Sequence, residues 1–378
     1  MKKILIVYAT AGIGHKKASI AVKKAFDEMR PKDVETVLAD ALDYAPPFFK
    51  RTYLDLYLTA VNKFSFTWGL MYYITDNFFV NLIVKQLRRF NNWLNSKRFV
   101  EYLLKENFDV IISTHFFASE VAGVLKKRGA LKSKLMTVVT DYRLHSWWVA
   151  PSVDMYVVSN EDAKADLLRW KIDPDRIKVL GIPVEPVFSK HLDKEPLKEK
   201  LGLRKDLFTV LVIGGGFGVG PIEDIVRSLG SVSRPVQLIV ICGHNEELAK
   251  RVGSMEVNKD VTVKAVGFVD NVYEFMEVSD ILISKSGGIT VSESLAKELP
   301  MIVIAPIPGQ ETRNSDFLIR HGAAVKVAKS SDIRGVIEYL ISDPSKIAQM
   351  KEAIRKIRTP ESSYNIAKAA LDMAEGAR

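Results

Sequence analysis

Ile281-Leu-Ile-Ser-Lys-Ser-Gly-Gly-Ile-Thr-Val-Ser-Glu-Ser-Leu295 is the stretch on which the fold of this chain turns. Ile281, Leu282 and Ile283 form a short unbroken apolar run, the pattern of a strand buried on both faces of a parallel sheet. Gly287 and Gly288 then let the backbone approach a ligand where a Cβ would obstruct it. A helical pattern opens near Ile289, so its exposed N–H groups and dipole form a cradle for an anion.

The same strand, turn and helix rhythm repeats on both sides. Upstream, Thr209–Ile213 leads into Gly214-Gly-Gly-Phe-Gly-Val-Gly220, and further strands are expected at Gln237–Ile241, Val261–Ala265 and Met301–Ile304. The first half offers Ile4–Tyr8, Thr36–Ala39, Val110–Ser113, Leu135–Thr140 and Met155–Val158, again alternating with helical patterns. Such alternation predicts α/β domains with parallel sheets, and 378 residues exceed one ordinary core. We therefore expect a first domain over 1–187, a linker over 188–205 within the Pro- and charge-rich stretch from Val184 to Lys205, and a second domain over 206–355. A C-terminal helix over 356–378 is expected to pack back on the first domain.

Hydrophobic residues make up 47% of the chain and its formal charge is +9, so it reads as a folded, soluble protein with an anionic partner. Nucleic acid, a phosphate ligand and an acidic membrane surface all satisfy that charge. Cys242 is the single cysteine, which excludes an intrachain disulfide and a cysteine-based zinc cluster and fits a reducing compartment. Lys2-Lys3 followed by Ile4–Ala9 imitates a short signal peptide, but the run leads straight into Gly12-Ile-Gly-His15 and a helical pattern, so it reads as a first strand. No stretch approaches the roughly 18 consecutive apolar residues of a spanning helix.

Residues Tyr44 to Tyr102 interrupt the rhythm with aromatic and basic residues, among them Phe64, Phe66, Trp68, Arg88 and Arg89, and few acidic ones. That composition at helical spacing suits a helix lying in an anionic bilayer interface; the alternative is packing of these aromatics between helices of the first domain.

Five motifs carry candidate chemistry. In Gly12-Ile-Gly-His15, His15 sits at a helix start after a strand, where the dipole keeps an imidazole neutral, as either a general base or a cap. Gly214–Gly220, including Gly215 and Gly216, approaches a dinucleotide fingerprint, yet the next strand ends in Cys242-Gly-His244 without the acidic residue that fingerprint needs. Thr140-Asp-Tyr-Arg-Leu-His145-Ser-Trp-Trp148 sets Asp141, His145 and Trp147 directly after a strand, for proton sharing and ligand contact or for a polar turn beside a core. Lys285, Ser286, Gly287, Gly288 and Thr290 form the anion cradle, and Glu293 lies one turn on, placed to accept from a ribose diol. Gln310 and Glu311, in Pro308-Gly-Gln-Glu311, offer donors and acceptors for sugar hydroxyls. Asp173-Pro-Asp175 spells a D-x-D metal motif but is ordinary turn chemistry, and no other cluster has ligand spacing, so no metal is predicted.

Together Lys285–Glu293, Pro308–Glu311, Val139–Trp148, Gly181-Ile-Pro-Val184 and Ile241-Cys-Gly243 resemble the processive diacylglycerol glucosyltransferases and the monogalactosyldiacylglycerol synthases, a group akin to the peptidoglycan N-acetylglucosaminyltransferases. The resemblance runs in order along most of the chain. It implies a GT-B fold, two Rossmann-like domains with parallel sheets facing an interdomain cleft, and inverting, metal-independent transfer of a hexose, glucose favoured over galactose, from a UDP-sugar to diacylglycerol. By that resemblance His15 is the base with Asp141 beside it, and Gly14, Gly215 and Gly216 line the donor. Ser286 to Thr290 hold the diphosphate, Phe268 and Val269 the uracil, Glu293 the ribose, and Gln310 and Glu311 the sugar. UDP-sugar is then a co-substrate with no further cofactor. The expected partners are that donor, diacylglycerol and an anionic membrane surface, not nucleic acid, with the protein peripheral on the cytoplasmic face of the membrane. A UDP-sugar epimerase and a peptidoglycan-type transferase are the alternatives within this fold.

Overall fold

The computed structural model describes residues 1–10, 12–52, 65–214 and 220–376. Gly215, Gly216 and Phe64, which carry expected roles, lie outside the described residues. The chain forms two compact units: Met1–Pro186 with Ile307–Arg313 and Glu361–Arg378, and Val187–Pro306 with Asn314–Pro360.

The first unit is built on a six-stranded sheet of order β2-β1-β3-β4-β5-β6. Its strands are β1 (Lys2–Tyr8), β2 (Val34–Asp40), β3 (Val110–Ser113), β4 (Lys134–Val138), β5 (Met155–Val158) and β6 (Ile177–Val179), and every pairing is parallel. Ile4, Ile6, Val110, Ile112, Met136 and Val138 alternate with Leu5, Val7, Ile111 and Leu135, so the two strand faces feed two separate cores. One core is closed by helix Ser362–Glu375, whose Ile366, Ala367 and Ala370 meet Val22, Ala25 and Phe26 of helix Ile13–Met29. Alanine at these positions lets the two helices approach closely.

The second unit carries a second six-stranded sheet, of order β12-β11-β10-β7-β8-β9. Here β7 (Phe208–Ile213), β8 (Val236–Ile241), β9 (Val261–Val266), β10 (Ile281–Ser284), β11 (Met301–Ile304) and β12 (Ala324–Val327) are likewise all parallel. Read from β9 this is the order of a dinucleotide-binding sheet, 3-2-1-4-5-6.

Each sheet reverses its strand order once, between β1 and β3 and between β7 and β10. Open α/β sheets bind ligands at the carboxyl ends of the strands flanking that reversal. In the first unit those ends open into Gly12–His15 and Thr114–His115; in the second they open into Gly214 and into Lys285–Gly288.

Two strands escaped the sequence reading. β6 and β12 are edge strands with exposed Lys178 and Lys326 in their centres, so neither shows the unbroken apolar run of an inner strand. The stretch 188–205 is not a free linker: it holds helix Lys194–Lys200, buries Leu197 and Leu201, and pairs Lys200 with Glu274 at 2.7 Å inside the second unit. The segment 307–313, expected within the second domain, makes its contacts as part of the first unit.

Candidate active site

His15 stands in the first turn of helix Ile13–Met29, directly beyond β1, with Gly14 half-buried beside it. Its Nδ1 lies 2.8 Å from the Thr114 carbonyl oxygen and 3.1 Å from the Thr140 hydroxyl. A carbonyl only accepts, so a neutral His15 carries its proton on Nδ1 and leaves the Nε2 lone pair available. Desolvation lowers its pKa to about 4, the Thr114 hydrogen bond opposing weakly, so the ring is neutral near pH 7. His115 meets it edge-on with ring centroids 4.5 Å apart, and Trp148 lies 6.0 Å away. His115 itself accepts from the Phe117 N–H through Nδ1 at 3.1 Å, capping helix Phe116–Lys127.

Asp141 follows β4 and is buried. It accepts from Trp148 Nε1 at 3.1 Å and from the Gln310 side-chain amide. Burial raises its pKa to about 6, while the hydrogen bonds from Trp148 and Gln310 pull the other way. Nδ1 of His15 is thus oriented by Thr114 and Thr140 rather than by Asp141, whose carboxylate anchors the 307–313 loop. Glu311 closes that loop on itself, accepting the Ile307 N–H at 2.7 Å. Arg313 extends it, reaching Asp76 at 2.6 Å and the Leu144 carbonyl at 3.1 Å.

His145 is buried with both nitrogens committed: Nε2 donates to the Tyr72 carbonyl at 2.9 Å and Nδ1 accepts from the Trp147 N–H at 3.2 Å. It braces the chain and leaves no polar atom for a ligand. Trp147 packs between Phe116 (5.5 Å), Trp68 (6.3 Å) and His145 (4.8 Å).

Arg88 and Arg89, expected at a membrane face, point inward instead. Arg88 grips buried Glu120 through Nε (3.0 Å) and Nη2 (3.1 Å), Arg89 reaches it at 3.3 Å, and Asn92 donates at 2.8 Å. A buried carboxylate requires such compensation, which is why the guanidiniums turn in. Asn81, Lys85, Arg88 and Asn92 recur at helical spacing along this inner side of helix Phe78–Asn95. Ile83, Leu87, Phe90 and Leu94 form the opposite stripe and are exposed by 68, 67, 61 and 46%. The helix is therefore inverted, polar toward the protein and apolar outward. Phe66, 80% exposed, adds to that apolar surface from helix Ser65–Thr75.

In the second unit, β10 ends in Ser284, whose hydroxyl donates to the Ile213 carbonyl at 3.0 Å and fastens the two switch-point strands. Gly287 starts helix Gly288–Ala296, and among the described residues no side chain caps it. Its first turn lies beside half-buried Lys285, Gly287 and Thr290. Asn314 donates to the Ser286 carbonyl at 3.0 Å and fixes the turn, while Glu293 is buried one turn along. A Cβ on Gly220 (φ +143°) would stand 3.7 Å from Lys285 Cε. Phe268, 60% exposed after β9, stacks on His244 after β8, ring centroids 4.4 Å apart and planes 10° from parallel; Val269 is half-buried.

Among the described residues no three His, Cys, Asp or Glu side chains gather to hold a metal, and no helix is long and apolar enough to cross a membrane. Asp173 caps a turn by accepting the Asp175 N–H at 3.0 Å. Sequence reasoning missed Thr114, His115, Tyr72, Glu120, Arg313 and His244. Of these, Thr114-His115 and His244 were marked by their place immediately after strands.

Residues 15–184 match the model of the monogalactosyldiacylglycerol (MGDG) synthase family, and residues 209–370 match the glycosyltransferase family 28 C-terminal domain. The chain is 30% identical over 370 residues to a processive diacylglycerol beta-glucosyltransferase of Bacillus cereus (strain B4264), covering 98% of this chain and 93% of that one. The enzyme of the same name from Bacillus pumilus (strain SAFR-032) is 30% identical over 369 residues, 97% of this chain and 93% of its own. The crystal structure of Acinetobacter baumannii MurG superposes with a TM-score of 0.65 at 13% identity, covering 98% of this chain and all of the other, which shows the shared GT-B fold.

Proposed function

From its membership in the processive diacylglycerol beta-glucosyltransferase family, and hence as a glycosyltransferase, we propose that the chain transfers a hexose, glucose in preference to galactose, from a UDP-sugar to diacylglycerol, with inversion and without a metal. The observation that carries the mechanism is the tautomer of His15. With Nδ1–H held by the Thr114 carbonyl, Nε2 is a neutral, desolvated acceptor able to take the proton of an attacking lipid hydroxyl. The hydroxyl oxygen forms the new bond to the anomeric carbon as the bond to UDP breaks.

The departing UDP gathers negative charge. The uncapped N-terminus of helix Gly288–Ala296, the hydroxyls of Ser286 and Thr290, and Lys285 are the groups that meet it. This preorganised field is our reason for proposing metal-independent transfer. Phe268 and Val269 take the uracil, Glu293 the ribose, and Gln310 and Glu311 the sugar, with Gln310 held by Asp141.

Diacylglycerol stays in a bilayer, so its enzyme must come to the surface. The inverted helix Phe78–Asn95 supports that part of the reading. An apolar outer stripe costs free energy in water but gains it in a bilayer interface, and exposed Lys97 and Arg98 just beyond it suit anionic headgroups. Peripheral attachment at the cytoplasmic face belongs to the same proposal. Incubation with labelled UDP-glucose or UDP-galactose and vesicles containing diacylglycerol tests it: a labelled glycolipid is expected, and free sugar or an epimerised donor without glycolipid would overturn it.

A further inference from the structure

We propose that Arg88 and Trp147 donate hydrogen bonds to the acyl ester carbonyls of the acceptor, so that the chain selects ester-linked over ether-linked glycerol lipid. The inference rests on the reading above that the acceptor is diacylglycerol.

Two buried N–H groups of the first unit lack a partner among the described residues: Nη1 of Arg88 and Nε1 of Trp147. Nε and Nη2 of Arg88 are taken by Glu120 at 3.0 and 3.1 Å, so the guanidinium is held in place and only Nη1 is left over. The Trp147 indole is fixed in turn by its packing against Phe116, Trp68 and His145. The two donors are neighbours. The guanidinium carbon of Arg88 lies 6.0 Å from the Trp147 ring centroid and 5.8 Å from that of Phe116, so the three side chains form one cluster.

A guanidinium and an indole N–H donate and do not accept, so only an acceptor completes them. Left unmade, each bond costs desolvation free energy that a ligand recovers. The surroundings select the acceptor. Phe116, Trp147 and Trp68 give the donors apolar flanks and Glu120 already pairs with Arg88, so the fitting group is an uncharged carbonyl carried on hydrocarbon. Phe116 and Trp147 are half-buried and Arg88 keeps 13% of its side chain exposed, which places the pair just beneath the surface of this unit. His115 and Phe116 join it to the base: their ring centroids are 4.1 Å apart, and His115 meets His15 at 4.5 Å. In diacylglycerol the reacting hydroxyl and the esters share one glycerol backbone, so a lipid whose hydroxyl meets Nε2 of His15 carries its carbonyls toward this cluster. An ether lipid has the same backbone and chains without the carbonyls. It leaves both donors unpaired.

The test compares dioctanoylglycerol with its ether analogue dioctylglycerol as acceptors for the full chain, in neutral detergent micelles with labelled UDP-glucose or UDP-galactose. The parent is expected to favour the ester about 10- to 100-fold in kcat/KM, because the ether leaves two buried donors unmet. Trp147→Phe keeps an aromatic ring and removes the N–H; it should raise the KM for the ester about 3- to 10-fold and narrow the ester preference by the same factor. A packing role alone would slow both lipids equally and leave the ratio as it was. Should that variant unfold, Arg88→Lys, which keeps a cation beside Glu120 and drops Nη1, should narrow the preference likewise. Equal use of ester and ether by the parent, or a folded variant of either kind with the full preference, overturns the proposal. Transfer to neither lipid from either donor instead overturns the functional reading itself.

Discussion

Nδ1 of His15 lies 2.8 Å from the carbonyl oxygen of Thr114, the first residue beyond β3. The partner is main chain, so the tautomer is set by the sheet itself and survives any side-chain change at that position. His15→Ala should lower kcat about 10²- to 10⁴-fold while UDP affinity is kept. With a pKa lowered to about 4, the imidazole is neutral above that pH, as the proposed base must be. The acid limb assigned to it in kcat should therefore lie near 4, and a limb near 6.5 that vanishes in His15→Ala would contradict the desolvated site.

Asp141 makes the opposite prediction for stability. Burial raises its pKa from 3.8 to about 6, so between those values the folded chain binds more protons than the unfolded one. Stability from this group is then present at low pH and lost as pH rises through about 6, by about 3 kcal/mol. Asp141→Asn should flatten that decline, so urea midpoints of the two proteins should converge or cross between pH 4 and 7. A difference independent of pH would sink the assignment.

Glu120 is enclosed by Arg88, Arg89 and Asn92. Removing the carboxylate leaves Arg88, half-buried and with Nη1 already lacking a partner among the described residues, uncompensated. Glu120→Ala should cost about 3–5 kcal/mol, and Glu120→Gln less, measured by denaturant unfolding. Equal stability of Glu120→Ala and the parent would show that the cluster is solvated.

The parallel sheets were legible because inner strands such as Ile281–Ser284 are unbroken apolar runs, and His15 because it follows a strand and opens a helix. Composition misdirected the reading of Arg88 and Arg89: counting basic residues does not say which way they point, and buried Glu120 lies outside the segment. The two stripes 81/85/88/92 and 83/87/90/94 were nonetheless present as periodicity. The contacts of Gly69 with Pro308 and Gly309 with Tyr72 join positions too far apart in sequence for any local pattern to reveal.

Leu87 and Phe90 are exposed by 67 and 61% on the outer stripe of helix Phe78–Asn95. Neither belongs to the core, so Leu87→Glu combined with Phe90→Glu should leave the melting temperature nearly unchanged. Two buried side chains are worth roughly 3–6 kcal/mol, and the added negative charge repels anionic headgroups. Cosedimentation with phosphatidylglycerol vesicles should fall at least 10-fold. Undiminished binding would locate the membrane contact elsewhere.

Phe268 and His244 stack at 4.4 Å on the carboxyl side of β9 and β8, with Phe268 60% exposed. An aromatic ring left that open, supported from behind by a second ring, is a platform for a flat ligand. Base–aromatic stacking is worth about 1–3 kcal/mol, so Phe268→Ala should raise the UDP dissociation constant roughly 5- to 100-fold, whereas Phe268→Trp should keep it. His244→Ala removes only the support and should have a smaller effect, recovered by His244→Phe. Because the sugar does not touch this pair in the proposed arrangement, UDP and UDP-glucose should lose affinity equally in calorimetric titration. A Phe268→Ala protein that binds UDP like the parent would remove the uracil from this place.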